Sequence, residues 1–145
     1  MDNKTLAFVS RQRIAHLATA SPDARPVVVP ICYVFDGENI YSPLDEKPKS
    51  TEVRSLKRVR NIVANPQVSL VVDEYSEDWS KLIYVLIAGV AEIIEPGDGP
   101  GEHLRAVSLL REKYIQYRSM AIESRPIIKI SSLKIRRWSS DPDAR

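Results

Sequence analysis

Residues 82–94 have the sequence LIYVLIAGVAEII, which contains the longest apolar stretch of the chain. Its Val, Ile and Tyr content predicts one long β-strand from Leu82 to Ile94. Gly89 inside this strand indicates a bulge or a close backbone approach. The uninterrupted apolar part, Leu82–Ala91, is much shorter than the roughly 20 residues of a membrane-spanning helix, so we expect no membrane partner. A strand this long and apolar has more apolar surface than one small core can bury. We therefore predict a homodimer whose subunit interface buries the remaining apolar surface.

Five further strands are predicted around this one. Each is a short run rich in β-branched and aromatic residues with turn residues at its ends; the five cover Ile14–Ala20, Pro26–Phe35, Ile40–Ser42, Gln67–Val72 and Ile127–Trp138. The turn Ser21-Pro22-Asp23 and the hairpin signal Asp36-Gly37 favour antiparallel neighbours. In the last strand, the adjacent Ser131 and Ser132 break the alternation as a β-bulge would. Six strands with mostly hairpin connections predict a small antiparallel barrel.

Three helices are predicted beside the strands. The first starts with Asn3 as N-cap and ends near Arg11, and the second runs from Ser50 to Asn65, where the following proline disfavours further helix. The third, Glu102–Tyr117, follows a loop rich in Gly and Pro over residues 96–101. With 145 residues and 43% apolar composition, the chain is expected to form one domain over residues 1–145, mostly β with peripheral helices.

The strongest charge feature is the segment from Lys47 to Arg60, in which six of fourteen residues are basic and only Glu52 is acidic. The whole chain has 21 Lys and Arg against 19 Asp and Glu, so removing this segment leaves 15 against 18. The positive potential is therefore local. A local positive potential favours a small anionic ligand over a long polyanion.

Two features of this segment point to phosphate binding. Lys49-Ser50-Thr51 would place backbone amides and two hydroxyls at a helix N-terminus, which is a common anion site. Four polar residues have the spacing i, i+3, i+4 and i+7 and would share one helix face, opposite Leu56, Val59 and Val63; they are Arg54, Lys57, Arg58 and Asn61. The alternative is an ordinary basic helix face whose charges are screened by solvent.

Side-chain catalysis and metal binding are disfavoured. The two histidines, His16 and His103, have no cysteine or histidine at ligand spacing, so no metal site is expected. No Gly-x-Ser-x-Gly elbow is present, and no catalytic residue can be named. Cys32 is the one cysteine and is expected to be buried and inert. Because the N-terminal residues lack an apolar signal core, we expect a cytoplasmic protein.

Across nearly its whole length the chain resembles the pyridoxamine 5′-phosphate oxidase-like, FMN-binding split-barrel superfamily. The likeness lies in the order and spacing of eight short motifs: Arg13 to Thr19, Arg25-Pro26, Pro30, Asp36-Gly37, Lys57 with Arg60-Asn61-Ile62, Asn65-Pro66, Val68-Ser69-Leu70 and Gly89-Val90-Ala91. Two further motifs are similar to the actinobacterial-type branch that depends on the deazaflavin F420: Asp45 to Lys49 and Asp78-Trp79-Ser80.

The resemblance implies a six-stranded antiparallel split β-barrel that forms a homodimer, with two cofactor sites at the subunit interface. Lys57 and Asn61 match the family's basic residue and asparagine, and Lys47 and Lys49 match basic positions of the branch's loop. Val29, Pro30 and Ile31 would present backbone along the isoalloxazine-type ring. Trp79 and Tyr84 would close the site from the partner subunit. An arginine expected near Leu86 is absent, so the resemblance does not identify the residues that contact the substrate.

Three functions remain open at this point. The first is an F420-dependent oxidoreductase that transfers a hydride to a small organic acceptor, and the second is an FMN flavoprotein of the same fold. The third is a nucleic-acid-binding barrel without catalysis, which would need an extended basic groove with exposed aromatic residues. The net charge of +2, with an acidic remainder outside one segment, argues against nucleic acid as a partner.

Overall fold

The computed structural model describes residues 2–44 and 55–141, which form a curled sheet with three helices. The strands are β1 Ala15–Ala20, β2 Pro26–Ile31, β3 Val34–Phe35, β4 Ile40–Pro43, β5 Gln67–Glu74, β6 Ile83–Ile94 and β7 Ile127–Ser139. The helices are α1 Asn3–Arg11, α2 Lys57–Ala64 and α3 Glu102–Lys113. The architecture is mostly β with peripheral helices, as the sequence predicts, although the described residues contain seven strands and not six.

The additional strand arises because the predicted strand Pro26–Phe35 is interrupted at Cys32 and Tyr33. Tyr33 is fully buried, and its backbone N–H donates to the hydroxyl of Tyr114 at 3.1 Å. A bond to a side chain takes the place of a ladder bond at this position. The run is therefore divided into β2 and β3.

This interruption creates the split of the barrel. All neighbouring strands are antiparallel, in the order β2-β1-β5-β6-β7-β4-β3, so β2 and β3 are the two edges of the sheet. Only two residues separate these edges along the chain, which limits the Cα distance from Ile31 to Val34 to about 11 Å. The sheet must therefore curl until β2 and β3 lie close together. Among the described residues these two edges are joined by the chain at Cys32-Tyr33 and not by backbone hydrogen bonds of a ladder.

A β-bulge in β7 confirms two sequence expectations. Ala88 is opposite Lys134 and Val90 is opposite Ser131, so β7 has one extra residue at this point. Ser132 takes a left-handed backbone with φ of 55°. A Cβ on Gly89 would lie 2.6 Å from Cγ2 of Ile130, so only glycine fits this close approach.

The helix bounds differ from the expected ones for local reasons. The N-cap of α1 is Asp2, not Asn3, and its carboxylate accepts from the backbone N–H of Thr5 at 2.7 Å. Among the described residues helix α2 begins at Lys57, after Leu56 with a non-helical ψ of 141°; the expected start at Ser50 lies outside the described residues. Helix α3 ends at Lys113 and not at Tyr117, because Tyr114 is extended and a 3-10 turn, Ile115–Ser119, follows.

The core fills the inside of the curled sheet, and alternate residues of the strands face it. In β6 every second residue from Ile83 to Ala91 is buried, whereas the residues between them face outward. A second apolar cluster lies under α3, around Val107, Leu110 and Tyr117. Within the described residues, no helix has the length and apolar content needed to cross a membrane.

Candidate functional site

A cavity of about 170 Å³ lies at the split between the edges of the sheet. Its walls are Ile14 before β1, the β2 end with the following Cys32, two residues of β4 and one of α2; the full lining is Ile14, Pro30, Ile31, Cys32, Ser42, Pro43 and Arg58. The hydroxyl of Ser42 donates to the carbonyl of Cys32 at 2.7 Å, which ties β4 to the connection after β2. Apolar walls and one cation therefore meet where the sheet opens.

The connection between β2 and β3 is held in place by Lys113 at the end of α3 and by Tyr114 directly after it. The Tyr114 hydroxyl donates to the Arg13 carbonyl at 2.8 Å. The Lys113 ammonium donates to the Tyr33 carbonyl at 2.9 Å and lies 4.0 Å from the centre of the Tyr33 ring. Burial lowers the pKa of Lys113 to about 8. These contacts fix the corner that forms one wall of the cavity.

Helix α2 brings a cation to the cavity and is anchored through a polar contact. Arg58 is half-buried and lines the cavity, whereas Lys57 is exposed beside it. Asn61 is 2% exposed, and its Nδ2 donates to Oγ1 of Thr19 on β1 at 3.0 Å. Val63 is 74% exposed.

The predicted faces of α2 are therefore wrong in two places: Asn61 packs against the barrel, and Val63 points to solvent. The hydrogen bond to Thr19 gives the side-chain amide of Asn61 a partner inside the protein. Burial of this polar side chain therefore avoids the free-energy cost of an unpaired amide. The role of Asn61 in cofactor binding remains a prediction.

The structure brings together three predicted site residues, Pro30, Ile31 and Arg58, at one cavity. Val29 is half-buried and packs against the core, opposite Leu17 in the β1–β2 ladder. Within the described residues β2 pairs with β1 alone, so its other side offers backbone groups at the split. Five predicted residues lie outside the described residues: Lys47, Lys49, Ser50, Thr51 and Arg54.

Trp79 and Tyr84 do not line this cavity within one protomer. Trp79 is 69% exposed, and its indole N–H donates to the Tyr75 hydroxyl at 3.3 Å. Tyr84 stacks on Trp138 of β7, with the ring centres 5.5 Å apart and the planes at 23°. Their contribution from a partner subunit remains a prediction.

Sequence reasoning missed four residues of the cavity: Ile14, Cys32, Ser42 and Pro43. Cys32 is only half-buried, and not fully buried as expected. The one signal that could have found it is the break of β2 from β3 at Cys32-Tyr33. That break depends on Tyr114, 81 residues away, and no local pattern shows it.

The outer face of the sheet carries two rows of side chains that cross neighbouring strands. One row runs from β2 to β7 as Val28, Ala18, Ser69, Ala88 and Lys134, and the next as Pro30, His16, Val71, Leu86 and Arg136. Val28 is 62% exposed and Leu86 is 43% exposed. The rows are thus largely apolar in the middle of the sheet and basic at β7.

Comparison with known proteins supports both the fold and the family. The family model described as pyridoxamine 5′-phosphate oxidase matches residues 1–139. Three solved structures have similar folds. A conserved hypothetical protein of Mycobacterium tuberculosis is 24% identical, with a TM-score of 0.74 over 97% of this chain and 86% of its own.

A heme storage protein of Vibrio cholerae is 15% identical, with a TM-score of 0.71 over 95% of this chain and 93% of its own. A protein described as an F420 reductase is 23% identical, with a TM-score of 0.61 over 90% of this chain and 94% of its own. These likenesses show the fold. The last two neighbours have different described functions, heme storage and F420 reduction, so the choice among functions depends on the site.

Proposed function

Because the chain belongs to the pyridoxamine 5′-phosphate oxidase family, we propose that it is an oxidoreductase that transfers a hydride between a deazaflavin (F420) cofactor and a small organic acceptor. The observation that carries this proposal is the cavity at the split, where Pro30 and Ile31 meet Arg58. A bound deazaflavin would supply the hydride chemistry. The protein would supply orientation and charge.

The residues at the split fit a phosphate-bearing ring cofactor. Ile14, Pro30 and Pro43 give apolar walls of the kind that enclose a planar ring. The guanidinium of Arg58 matches the geometry of a phosphate group, and the exposed Lys57 adds charge beside it. The open side of β2 offers backbone groups for ring heteroatoms.

The size of the cavity favours a site shared between two subunits. At about 170 Å³ it is smaller than the roughly 300 Å³ at the lower end of small-molecule pockets. A second copy packed on the apolar outer face would enlarge it, and Trp79 and Tyr84 would then contribute from the partner. We therefore propose a homodimer, with the apolar middle of the outer face as the subunit contact.

FMN is the alternative cofactor, since the same apolar walls and cations would suit its ring and phosphate. The two cofactors differ in chemistry, because a deazaflavin is a hydride donor whereas FMN can also reduce oxygen. The described cavity has no feature that selects between them. F420 is preferred because of the motifs Asp45 to Lys49 and Asp78-Trp79-Ser80.

The test is a titration of the purified protein with F420 and, separately, with FMN, in which binding is monitored by fluorescence and absorption spectra. We expect saturable binding that is tighter for F420. Anaerobic mixing with reduced F420 and menadione should then restore the absorption of oxidised F420. Tighter binding of FMN together with a yellow absorption band would support the alternative.

Substitution of Arg58 tests whether the cofactor binds at the split. Arg58→Ala should weaken cofactor binding by about 1.5–3 kcal/mol, the value of one charge-assisted hydrogen bond. Arg105→Ala, on the exposed surface of α3, is the matched control and should bind as the wild type does. Absence of saturable binding of either cofactor would contradict the proposed function.

A further inference from the structure

Lys113 and Arg13 form a pair of cations beside the corner between β2 and β3. The guanidinium carbon of Arg13 lies 4.6 Å from the centre of the Tyr114 ring, and Nζ of Lys113 lies 5.3 Å from the same centre. The sum of these two distances limits the separation of the charged groups to about 10 Å. Nη2 of Arg13 also donates to the backbone carbonyl of Lys113 at 2.6 Å. The cofactor contacts proposed above include neither side chain.

This pair has no acidic partner in the part of the chain that the structure describes. Within residues 2–44 and 55–141, neither Lys113 nor Arg13 forms an ion pair with a carboxylate. Two like charges that lie close together without a counter-charge repel each other. The repulsion is relieved when Lys113 loses its proton or when an anion binds beside the pair.

The side-chain amine of Lys113 is a nucleophile at mildly alkaline pH. Lys113 is half-buried; its Nζ lies 4.0 Å from the centre of the Tyr33 ring and donates to the Tyr33 carbonyl at 2.9 Å. Burial, and after it the charge of Arg13, lower the pKa of Lys113 to about 8. About half of this amine is therefore uncharged at pH 8, whereas an exposed lysine is almost fully protonated there. An uncharged lysine amine in apolar surroundings is the group that forms imines with carbonyl compounds.

The groups around this amine match a small molecule with two functional groups. The ring faces of Tyr33 and Tyr114 offer apolar contact to a short carbon chain. Arg13 is exposed, and the Lys113 carbonyl uses one of the five N–H donors of its guanidinium. The remaining donors suit a carboxylate, which arginine binds through two parallel hydrogen bonds. A carbonyl group at Lys113 and a carboxylate at Arg13 together describe an oxo acid.

From this arrangement we propose that Lys113 and Arg13 form a binding site for short-chain oxo acids, in which Lys113 forms an imine with the carbonyl group and Arg13 holds the carboxylate. The nitrogen lone pair attacks the carbonyl carbon. The carbonyl oxygen leaves as water with one N–H proton and one proton from solvent, and a protonated C=N bond remains. No electron is transferred in this step. The protonated imine keeps one N–H, which preserves the hydrogen bond to the Tyr33 carbonyl.

The experiment traps the imine with sodium cyanoborohydride and locates the adduct by mass spectrometry of peptides. Succinic semialdehyde is compared with butanal, because both are four-carbon aldehydes and only the first has a carboxylate. Each is incubated at pH 8 with the full chain without added cofactor. We expect the succinic semialdehyde adduct to concentrate on Lys113 with a rate that saturates. At low concentration it should form there roughly tenfold or more faster than the butanal adduct, equivalent to one charge-assisted hydrogen bond.

The variant R13Q tests the carboxylate contact. It should lower the ratio of succinic semialdehyde to butanal trapping at Lys113 to about one, because the charge-assisted contact is lost. This ratio corrects for any change in the reactivity of the amine itself, which affects both aldehydes alike. R105Q removes an exposed arginine of α3 and should keep the wild-type ratio.

The variant K113R keeps the positive charge and should remove the main adduct, whereas K81R, at a lysine whose side chain is 64% exposed, should leave it unchanged. Equal trapping on Lys81 and on Lys113 in the wild type would overturn the proposal. A wild-type ratio in R13Q would overturn it as well. Because no cofactor is present, these results do not depend on the deazaflavin assignment.

Discussion

The Nδ2 of Asn61 on α2 donates a hydrogen bond of 3.0 Å to Oγ1 of Thr19 on β1, and both residues are almost fully buried. This contact joins the helix that carries Lys57 and Arg58 to the strand beside the split. Together with the buried Val59 and Ile62, it holds α2 against the barrel. The cations of the candidate site therefore depend on a polar contact inside the protein.

The first prediction concerns this hydrogen bond. Asn61→Ala should lower the free energy of unfolding by about 1–3 kcal/mol, because the Thr19 hydroxyl loses its described partner in a buried place. Thr19→Val removes the hydroxyl with little change in volume. Urea unfolding of both single variants and the double variant should give a coupling energy of about 0.5–3 kcal/mol. Strictly additive effects would show that the bond contributes nothing.

The hydrogen bond between Asn61 and Thr19 also shows which part of the site could not be predicted from the sequence. The spacing of Lys57, Arg58 and Asn61 predicted a shared polar face, but a helical pattern cannot show that Thr19, 42 residues earlier, offers Asn61 a buried partner. For the same reason the helical pattern predicts that Val63 is buried, whereas the structure has its side chain exposed to solvent. Non-local contacts decided both positions.

Strand patterns succeeded where the cause is local. The bulge at Ser131-Ser132 and the close approach at Gly89 could both be predicted, because a break in alternation and a glycine in a strand have few structural meanings. The split could not be predicted in the same way, since Cys32 and Tyr33 continue the apolar run of β2. It arises from the contact between Tyr33 and Tyr114.

The second prediction tests the close approach at Gly89. Gly89→Ala would place a Cβ 2.6 Å from Cγ2 of Ile130 and 2.9 Å from the carbonyl oxygen of Ser131. We expect a loss of about 1–3 kcal/mol in the free energy of unfolding, as for other overpacked cores. Ala121→Val adds volume at an exposed position outside the sheet and should change stability by less than about 0.5 kcal/mol. Similar urea midpoints for Gly89→Ala and wild type would contradict this reading.

The third prediction is a pH dependence of stability. Hydrogen bonds from Lys129 at 2.8 Å and from the Tyr41 hydroxyl at 2.6 Å lower the pKa of Glu102 below its ordinary value of 4.5. A carboxylate whose pKa is lowered by folding stabilises the protein above that ordinary value, and the contribution is lost as the pH falls below it. Glu102→Gln should therefore flatten the loss of stability between about pH 5 and pH 3.

The measurement is urea unfolding of wild type and Glu102→Gln at several pH values in that range. Glu112→Gln, an exposed substitution on the same helix, serves as control and should keep the wild-type slope. Identical slopes for wild type and Glu102→Gln would mean that the Glu102 contacts do not contribute to acid sensitivity.

The fourth prediction concerns Lys57, which is exposed at the first position of α2. Lys57→Ala should weaken binding of the cofactor by about 1.5–3 kcal/mol, because a charge-assisted contact to phosphate is lost. Its melting temperature should stay close to that of the wild type, since exposed substitutions alter stability little. Lys4→Ala on α1 is the matched control. Unchanged cofactor affinity in Lys57→Ala would remove Lys57 from the site.

The last prediction is the homodimer. Leu86 is 43% exposed in the middle of the outer face, between Val71 of β5 and Arg136 of β7. If a second copy covers this surface, Leu86→Asp places an unpaired charge in the contact and should dissociate the dimer, since burying such a charge is strongly unfavourable. Leu104 is 62% exposed on α3, and Leu104→Asp should leave the dimer intact. Sedimentation at micromolar concentration would separate the outcomes, and a monomeric wild type would rule out both the dimer and a site shared between subunits.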